Sequence, residues 1–175
     1  QVHGNRVVHA SEVERDVTEA DAVWTDQPGE VCAVMVADCV PILLAAKDGS
    51  CVAAIHAGWR GLVAGVIEET VEAMRVPGLE LVAAIGPCID VKKYDVGADV
   101  FDVVRGSNIE SAIEISGDKG SLDLSQAAAD LLVSTSIVNI KQCDHFVRNE
   151  EAVVYSHRID GVTGRFVGFS IRCDA

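Results

Sequence analysis

The chain has 175 residues, 49% of them apolar and 23% charged, with a formal net charge of −13. That length suits one domain with a full core, and the acidic excess argues against a nucleic-acid or anionic-membrane partner, since both need basic patches. No apolar run reaches membrane-span length and no signal-peptide pattern is present, and six scattered cysteines without a CxxC pair point to a reducing cytoplasm.

The chain opens at Gln1 rather than Met, so a preceding N-terminal segment is expected. Gln1-Val2-His3-Gly4-Asn5 leads as a turn into a short strand at Arg6-Val7-Val8. On its own residues His3 reads as a surface histidine. Ser11–Ala20 is polar and acidic without a period, a loop or short surface helix, and Asp21–Val23 ends a strand before the turn Trp24–Gly29. The central stretch Val31–Gly61 carries three apolar β-type runs: Val31–Val36, Val40–Ala46 and Cys51–Ile55. Asp48-Gly49 between the second and third is a hairpin signal. These runs set Asp38, Cys39, His56 and Arg60 beyond strand ends, where a rigid sheet commonly carries a site.

Leu62–Met74 has apolar or neutral residues at Val63, Val66, Ile67, Thr70, Val71 and Met74, the spacing of a helix, stopped by Pro77-Gly78. The loop Gly58-Trp59-Arg60-Gly61 then joins a buried strand to a helix N-terminus. Backbone N–H groups and the helix dipole favour an anion there, and the Arg60 guanidinium suits phosphate. Leu81–Ile85 is a buried strand, Val96–Val104 a short helix, and Arg105–Gly120 a Gly/Ser-rich loop. Asp123 or Ser121 caps a helix running to Leu132. Val138–Gln142 and Ala152–Tyr155 read as strands, Ser156–Arg165 as a polar turn with Arg165 near an anion site, and Phe166–Arg172 as a closing strand. Hairpins mixed with few helices predict an α+β domain with mixed or antiparallel sheet.

His3, Cys39 and His56 form a zinc-type donor set that leaves a fourth position open for water or substrate. The same residues admit a second chemistry: a Cys39 nucleophile activated by His56 and oriented by Asp38, as in a thiol hydrolase. Both need a thiolate beside an imidazole, so the residues leave the alternatives open. A metal-binding interaction protein without catalysis is a third.

The segments QVHGNRVV, ADAVWTD, ADCVPILL, HAGWRGLVAGVIEETV, AIGPCI, YDVG and SHRIDGVTGR resemble the multicopper polyphenol oxidase (laccase-domain) family, whose members are now regarded as purine nucleoside phosphorylases. They run in the family's order from Gln1 to Arg165. Asp144, where the family usually has Thr, and the segment up to Val153 depart from its pattern. The resemblance implies a layered α/β/β/α fold with mixed sheets, distantly related to toxin cysteine-hydrolase domains, and one further N-terminal segment. It implies a zinc site at His3, Cys39 and His56, which lifts His3 from surface residue to ligand. It further implies phosphorolysis of adenosine, inosine or guanosine to base and ribose 1-phosphate, with adenosine deamination beside it. Arg60 and Arg165 are then the phosphate candidates. Asp38 is a proton-transfer group or a partner to a ligand histidine. Copper suits soft S/N donors too, so a copper-dependent phenol oxidation is a further alternative. A conventional multicopper oxidase, with its coupled copper centres, needs far more histidines than the five here, none of them in an HxH pair.

Overall fold

A computed structural model describes residues 1–117, 119–143 and 154–173. Its strands are β1 (Val7–His9), β2 (Ala22–Thr25), β3 (Val31–Val36), β4 (Val40–Ala46), β5 (Val52–Ala57), β6 (Leu81–Ile85), β7 (Asp95–Val96), β8 (Ile113–Ser116), β9 (Lys119–Leu122), β10 (Asn139–Gln142) and β11 (Phe166–Ile171). Its helices are α1 (Trp59–Val63), α2 (Val66–Met74), α3 (Ala98–Val104), α4 (Leu124–Ser134) and α5 (His157–Asp160). The architecture is α+β with mixed sheets, as the sequence predicts. A six-stranded sheet runs in the order β1-β2-β5-β4-β6-β10, with the β1/β2 and β6/β10 pairs parallel and the rest antiparallel.

The alternation of side chains along the central strands sets the layers. Ile42 and Leu44 of β4 and Ala53, Ile55 and Ala57 of β5 point to one face, where Leu62, Val66, Ile67 and Leu131 from the helices complete the main core. Residues of opposite parity, Val52 and Ala54 with Leu43 and Ala45, meet Cys32 and Val34 of β3 on the other face. There β3 pairs antiparallel with β11 in a separate two-stranded sheet. β5 is therefore buried on both faces along its whole length, and His56 falls on the face turned toward the second sheet. The outer face of that second sheet exposes Met35 and Phe169.

The hairpin at Asp48-Gly49 forms as predicted, with Gly49 at φ 74°. The run before it does something the sequence did not predict. β3 and β4 belong to different sheets, so Ala37-Asp38-Cys39 carries the chain from one layer to the other, and Asp38 takes φ 91° to do it.

Other boundaries differ for local reasons. The single helix predicted over Leu62–Met74 is two, α1 and α2, because Gly65 turns left-handed at φ 86° between them. Arg60 accordingly sits inside α1 rather than in a loop. The predicted loop over Arg105–Gly120 contains β8 and the start of β9, which with β7 form a three-stranded sheet. Alternation at β8 is short and mostly exposed, which hid it. The polar turn Ser156–Arg165 holds the one-turn helix α5, capped by the Ser156 hydroxyl. Of the strand predicted at Ala152–Tyr155, residues 152 and 153 lie outside the described residues, as does the departing segment from Asp144, and the last two have no regular structure. α4 begins after its predicted Asp123 cap, whose carboxylate accepts the Gln126 N–H at 2.9 Å.

Ile55, fully buried at the centre of this arrangement, gives a direct test of the packing. Ile55→Ala is expected to lower unfolding free energy by about 2–5 kcal/mol, measured by chemical denaturation.

Candidate metal centre

Three elements far apart in sequence deliver the candidate ligands. His56 is the penultimate residue of β5, Cys39 closes the crossing between the two sheets, and His3 lies in the segment before β1. Their ligand atoms all lie within 4.8 Å of one another, and the two imidazoles meet edge-on with centroids 4.9 Å apart. Among the described residues this is the one such cluster.

The residue that assembles it is Asp21, at the entrance to β2 and 1% exposed. One carboxylate oxygen accepts from His56 Nδ1 at 2.8 Å and from the His3 N–H at 2.9 Å. The other accepts from the Gly4 N–H at 2.7 Å and the Val2 N–H at 3.2 Å. Burial pushes the Asp21 carboxyl upward, but the His56 hydrogen bond and these three backbone donors outweigh it and hold the group below its ordinary range. The carboxylate bends the leading segment around itself, with His3 at φ 62°. Because Nδ1–H of His56 is given to Asp21, the Nε2 lone pair is left for a ligand, the arrangement common around metal-bound histidines.

Two glycines make the approach possible. A Cβ on Gly58 would stand 3.0 Å from Cys39 Sγ and 3.2 Å from His3 Cδ2, and one on Gly61 would stand 2.9 Å from the Gly4 carbonyl oxygen. The HAGWRG stretch therefore needs small residues where it passes under the ligand set.

Electrostatics bear on what the site can do. Burial first, and then the carboxylates of Asp38 and Asp21, push the Cys39 thiol up to about 12. Burial also lowers the His56 imidazole, more than the Asp21 hydrogen bond raises it. A thiol held protonated beside a neutral imidazole is the reverse of an activated cysteine–histidine pair. A divalent cation removes the conflict, since it deprotonates a coordinating thiol and requires neutral imidazole. The S/N/N donor set, its fixed tautomer and the buried carboxylate behind it fit a metal.

Asp38 has a different position from the one predicted for a partner to His56. It is 8% exposed and accepts from the Ser156 hydroxyl at 2.7 Å and the Arg158 N–H at 2.8 Å. Ser156 is fully buried and its oxygen also accepts from the Ile159 N–H at 3.1 Å. Asp38 thus ties the Cys39 turn to α5. The cavity beside the ligands holds about 350 Å³ and is lined by Met35, Ala37, His157 and Arg165 as well as the three ligand candidates, within the size range of small-molecule sites. A larger cleft of about 510 Å³ lies between Pro41, Leu43, Pro87 and Phe169, without a cluster of ligand atoms. Arg165 donates one nitrogen to the Thr163 and Gly164 carbonyls at 3.0 and 2.9 Å, which anchors its guanidinium at the cavity. Arg60 does not line it; its guanidinium stacks on Trp59, 4.4 Å from the ring centroid. The structure so brings together His3, Cys39, His56 and Arg165, and sets Asp38 and Arg60 to the side. Sequence reasoning missed Asp21, Ser156 and His157. An acid just before a strand and a serine before a polar turn were the available signals, and both are common.

The sequence model described as multi-copper polyphenol oxidoreductase laccase matches residues 1–172. The chain belongs to this family. It is 37% identical over 171 residues to a purine nucleoside phosphorylase, YfiH, of Shigella flexneri, covering 97% of this chain and 70% of that protein. It is 39% identical over 170 residues to purine nucleoside phosphorylase PA4543 of Pseudomonas aeruginosa, covering 95% and 69%. The crystal structure of Neisseria meningitidis protein NMB0706 superposes with a TM-score of 0.90 at 37% identity, over 99% of this chain and 73% of that one. That of YlmD from Geobacillus stearothermophilus gives 0.85 at 29% identity, over 99% and 72%.

The two carboxylates make separable predictions. Asp21→Ala is expected to release the amides of residues 2–4 to fast hydrogen exchange and to lower stability by about 2 kcal/mol, because three part-buried amides and the buried His56 Nδ1–H lose their acceptor. Asp38→Ala should leave those amides protected and release residues 156–159 instead.

Proposed function

We propose that the chain is a zinc-dependent purine nucleoside phosphorylase, converting adenosine, inosine or guanosine and phosphate to free base and ribose 1-phosphate. The observation that carries this is the His3–Cys39–His56 set, oriented by Asp21 and opening on a cavity that Arg165 borders. The relatives named purine nucleoside phosphorylase support it.

Phosphorolysis passes through a sugar with oxocarbenium character, so the site has to hold phosphate against C1′ and stabilise charge on the departing base. Arg165 supplies a fixed cation for the phosphate, its orientation set by the two loop carbonyls. Arg60, on α1 and stacked over Trp59, lies outside the cavity, so the phosphate role falls to Arg165. Asp21 keeps His56 in one tautomer and holds His3 beside it. Asp38 acts by positioning α5 rather than by moving protons, since both its oxygens already accept hydrogen bonds. His3, Cys39 and His56 would hold the zinc ion, which would supply Lewis-acid polarisation of an oxygen. Lewis-acid chemistry of that kind would also suit hydrolytic removal of a purine amino group, and adenosine deamination is proposed as a side activity.

Cys39 as a free nucleophile is disfavoured by its burial and the neighbouring carboxylates, which raise its thiol, whereas the His56–Asp21 bond would suit either chemistry. Soft donors admit copper as well as zinc, and the metal is therefore measured directly. Purified protein is expected to hold about one zinc per chain, to release base from inosine only with phosphate, and to lose this on chelation until zinc is restored. Cys39→Ala should lower phosphorolysis by more than about 100-fold. Full activity in metal-free protein would turn the reading to a Cys39 nucleophile. Copper with phenol oxidation and no phosphorolysis would overturn it in favour of an oxidoreductase.

A further inference from the structure

One imidazole on the cavity wall is unused by the ligand set. His157, the first residue of α5, lines the cavity with His3, Cys39, His56 and Arg165. Its Nδ1 lies 2.8 Å from the Gly161 carbonyl oxygen. A carbonyl only accepts, so Nδ1 carries a proton and donates it there. The other nitrogen, Nε2, has no hydrogen-bond partner among the described residues.

The helix that carries the ring is held at both ends. At one end the buried Ser156 caps the helix, and Asp38 grips both that hydroxyl and the Arg158 N–H. At the other, Gly161 turns back at φ 69°, which brings its carbonyl under the imidazole. The Arg158 guanidinium adds a bond to the Asp95 carbonyl at 2.8 Å and lies over Tyr94. An exposed histidine with no task has no need of such support.

We propose that His157 is a catalytic residue of this site, presenting Nε2 to the purine and protonating it as the glycosidic bond breaks; this rests on the phosphorolysis reading. A phosphate oxygen forms the new bond to C1′ while C1′–N9 breaks and its electron pair passes into the purine. His157 acts as the imidazolium, keeping Nδ1–H on the Gly161 carbonyl and giving its Nε2 proton to N7, and the proton that phosphate sheds on becoming an ester returns to Nε2 through solvent. The other groups facing the cavity are poorly suited to this. His56 has Nδ1 bound to Asp21 and Nε2 in the ligand set, His3 and Cys39 are ligand candidates, and the Arg165 guanidinium does not release its proton.

The test compares inosine with 7-methylinosine, whose N7 is already alkylated and positively charged, so that its base departs neutral without a proton. His157→Gln keeps a polar side chain of similar length and removes the acid. Its kcat/KM for phosphorolysis is expected to fall by about 100-fold or more on inosine and by only a few-fold on 7-methylinosine. Equal losses on both substrates would overturn the proposal and make His157 a positioning residue. No loss on either would overturn it outright. Wild-type protein that turns over neither substrate with phosphate would sink the phosphorolysis reading itself, a result distinct from failure of the variant alone.

Discussion

One buried carboxylate organises the site. Asp21 is nearly inaccessible and surrounded by apolar strands, yet it stays ionised because three backbone N–H groups and an imidazole point at it. An uncompensated charge there would cost several kcal/mol, so the leading segment cannot leave without stranding it. The carboxylate thereby does two things with one set of hydrogen bonds. It staples residues 2–4 to the entrance of β2, and it decides which nitrogen of His56 faces the ligand position. The clustering of the three candidate ligands is in this sense a by-product of solving a burial problem.

The second constraint is the passage between sheets. β3 and β4 are consecutive but belong to different layers, so the three residues between them turn sharply. Asp38 absorbs that turn at φ 91°, and His3 sits at φ 62° on the other side of the ligand set. Backbone in this region costs about 1–3 kcal/mol per non-glycine residue and persists only where surroundings impose it. Here the surroundings are hydrogen bonds to Asp21 for one and to Ser156 and Arg158 for the other. Strain is thus placed beside both the first and second ligand candidates. The Asp38 grip passes it on to α5 and the far wall of the cavity.

Charge distribution reconciles an acidic protein with the phosphate site proposed for it. The net charge of −13 is spread over the chain, while the cavity has Arg165 beside a donor set that would bring a divalent cation. Attraction for phosphate is then local and short-ranged, set by a few fixed groups rather than by the long-range field. The raised Cys39 thiol belongs to the same balance: with two carboxylates nearby and little solvent, a thiolate is tolerable only next to a cation.

The sequence alone determined the strands of the six-stranded sheet to within a few residues, read α1 and α2 as one helix, and through family resemblance proposed the ligand set. Apolar runs fixed β3, β4 and β6 to the residue and β5 and α4 to within two or three, because burial on one or both faces writes itself as periodicity. Resemblance of QVHG, ADC and HAGW to family motifs named His3, Cys39 and His56, and the structure places them together. What only tertiary structure decided is the second tier: that Asp21 and not Asp38 holds His56, that Arg165 and not Arg60 borders the cavity, and that His157 faces it. Those assignments depend on which sheet each strand joins and which way a short polar turn folds. Neither leaves a periodic trace, because hydrogen bonds between residues dozens of positions apart put no pattern into the intervening sequence.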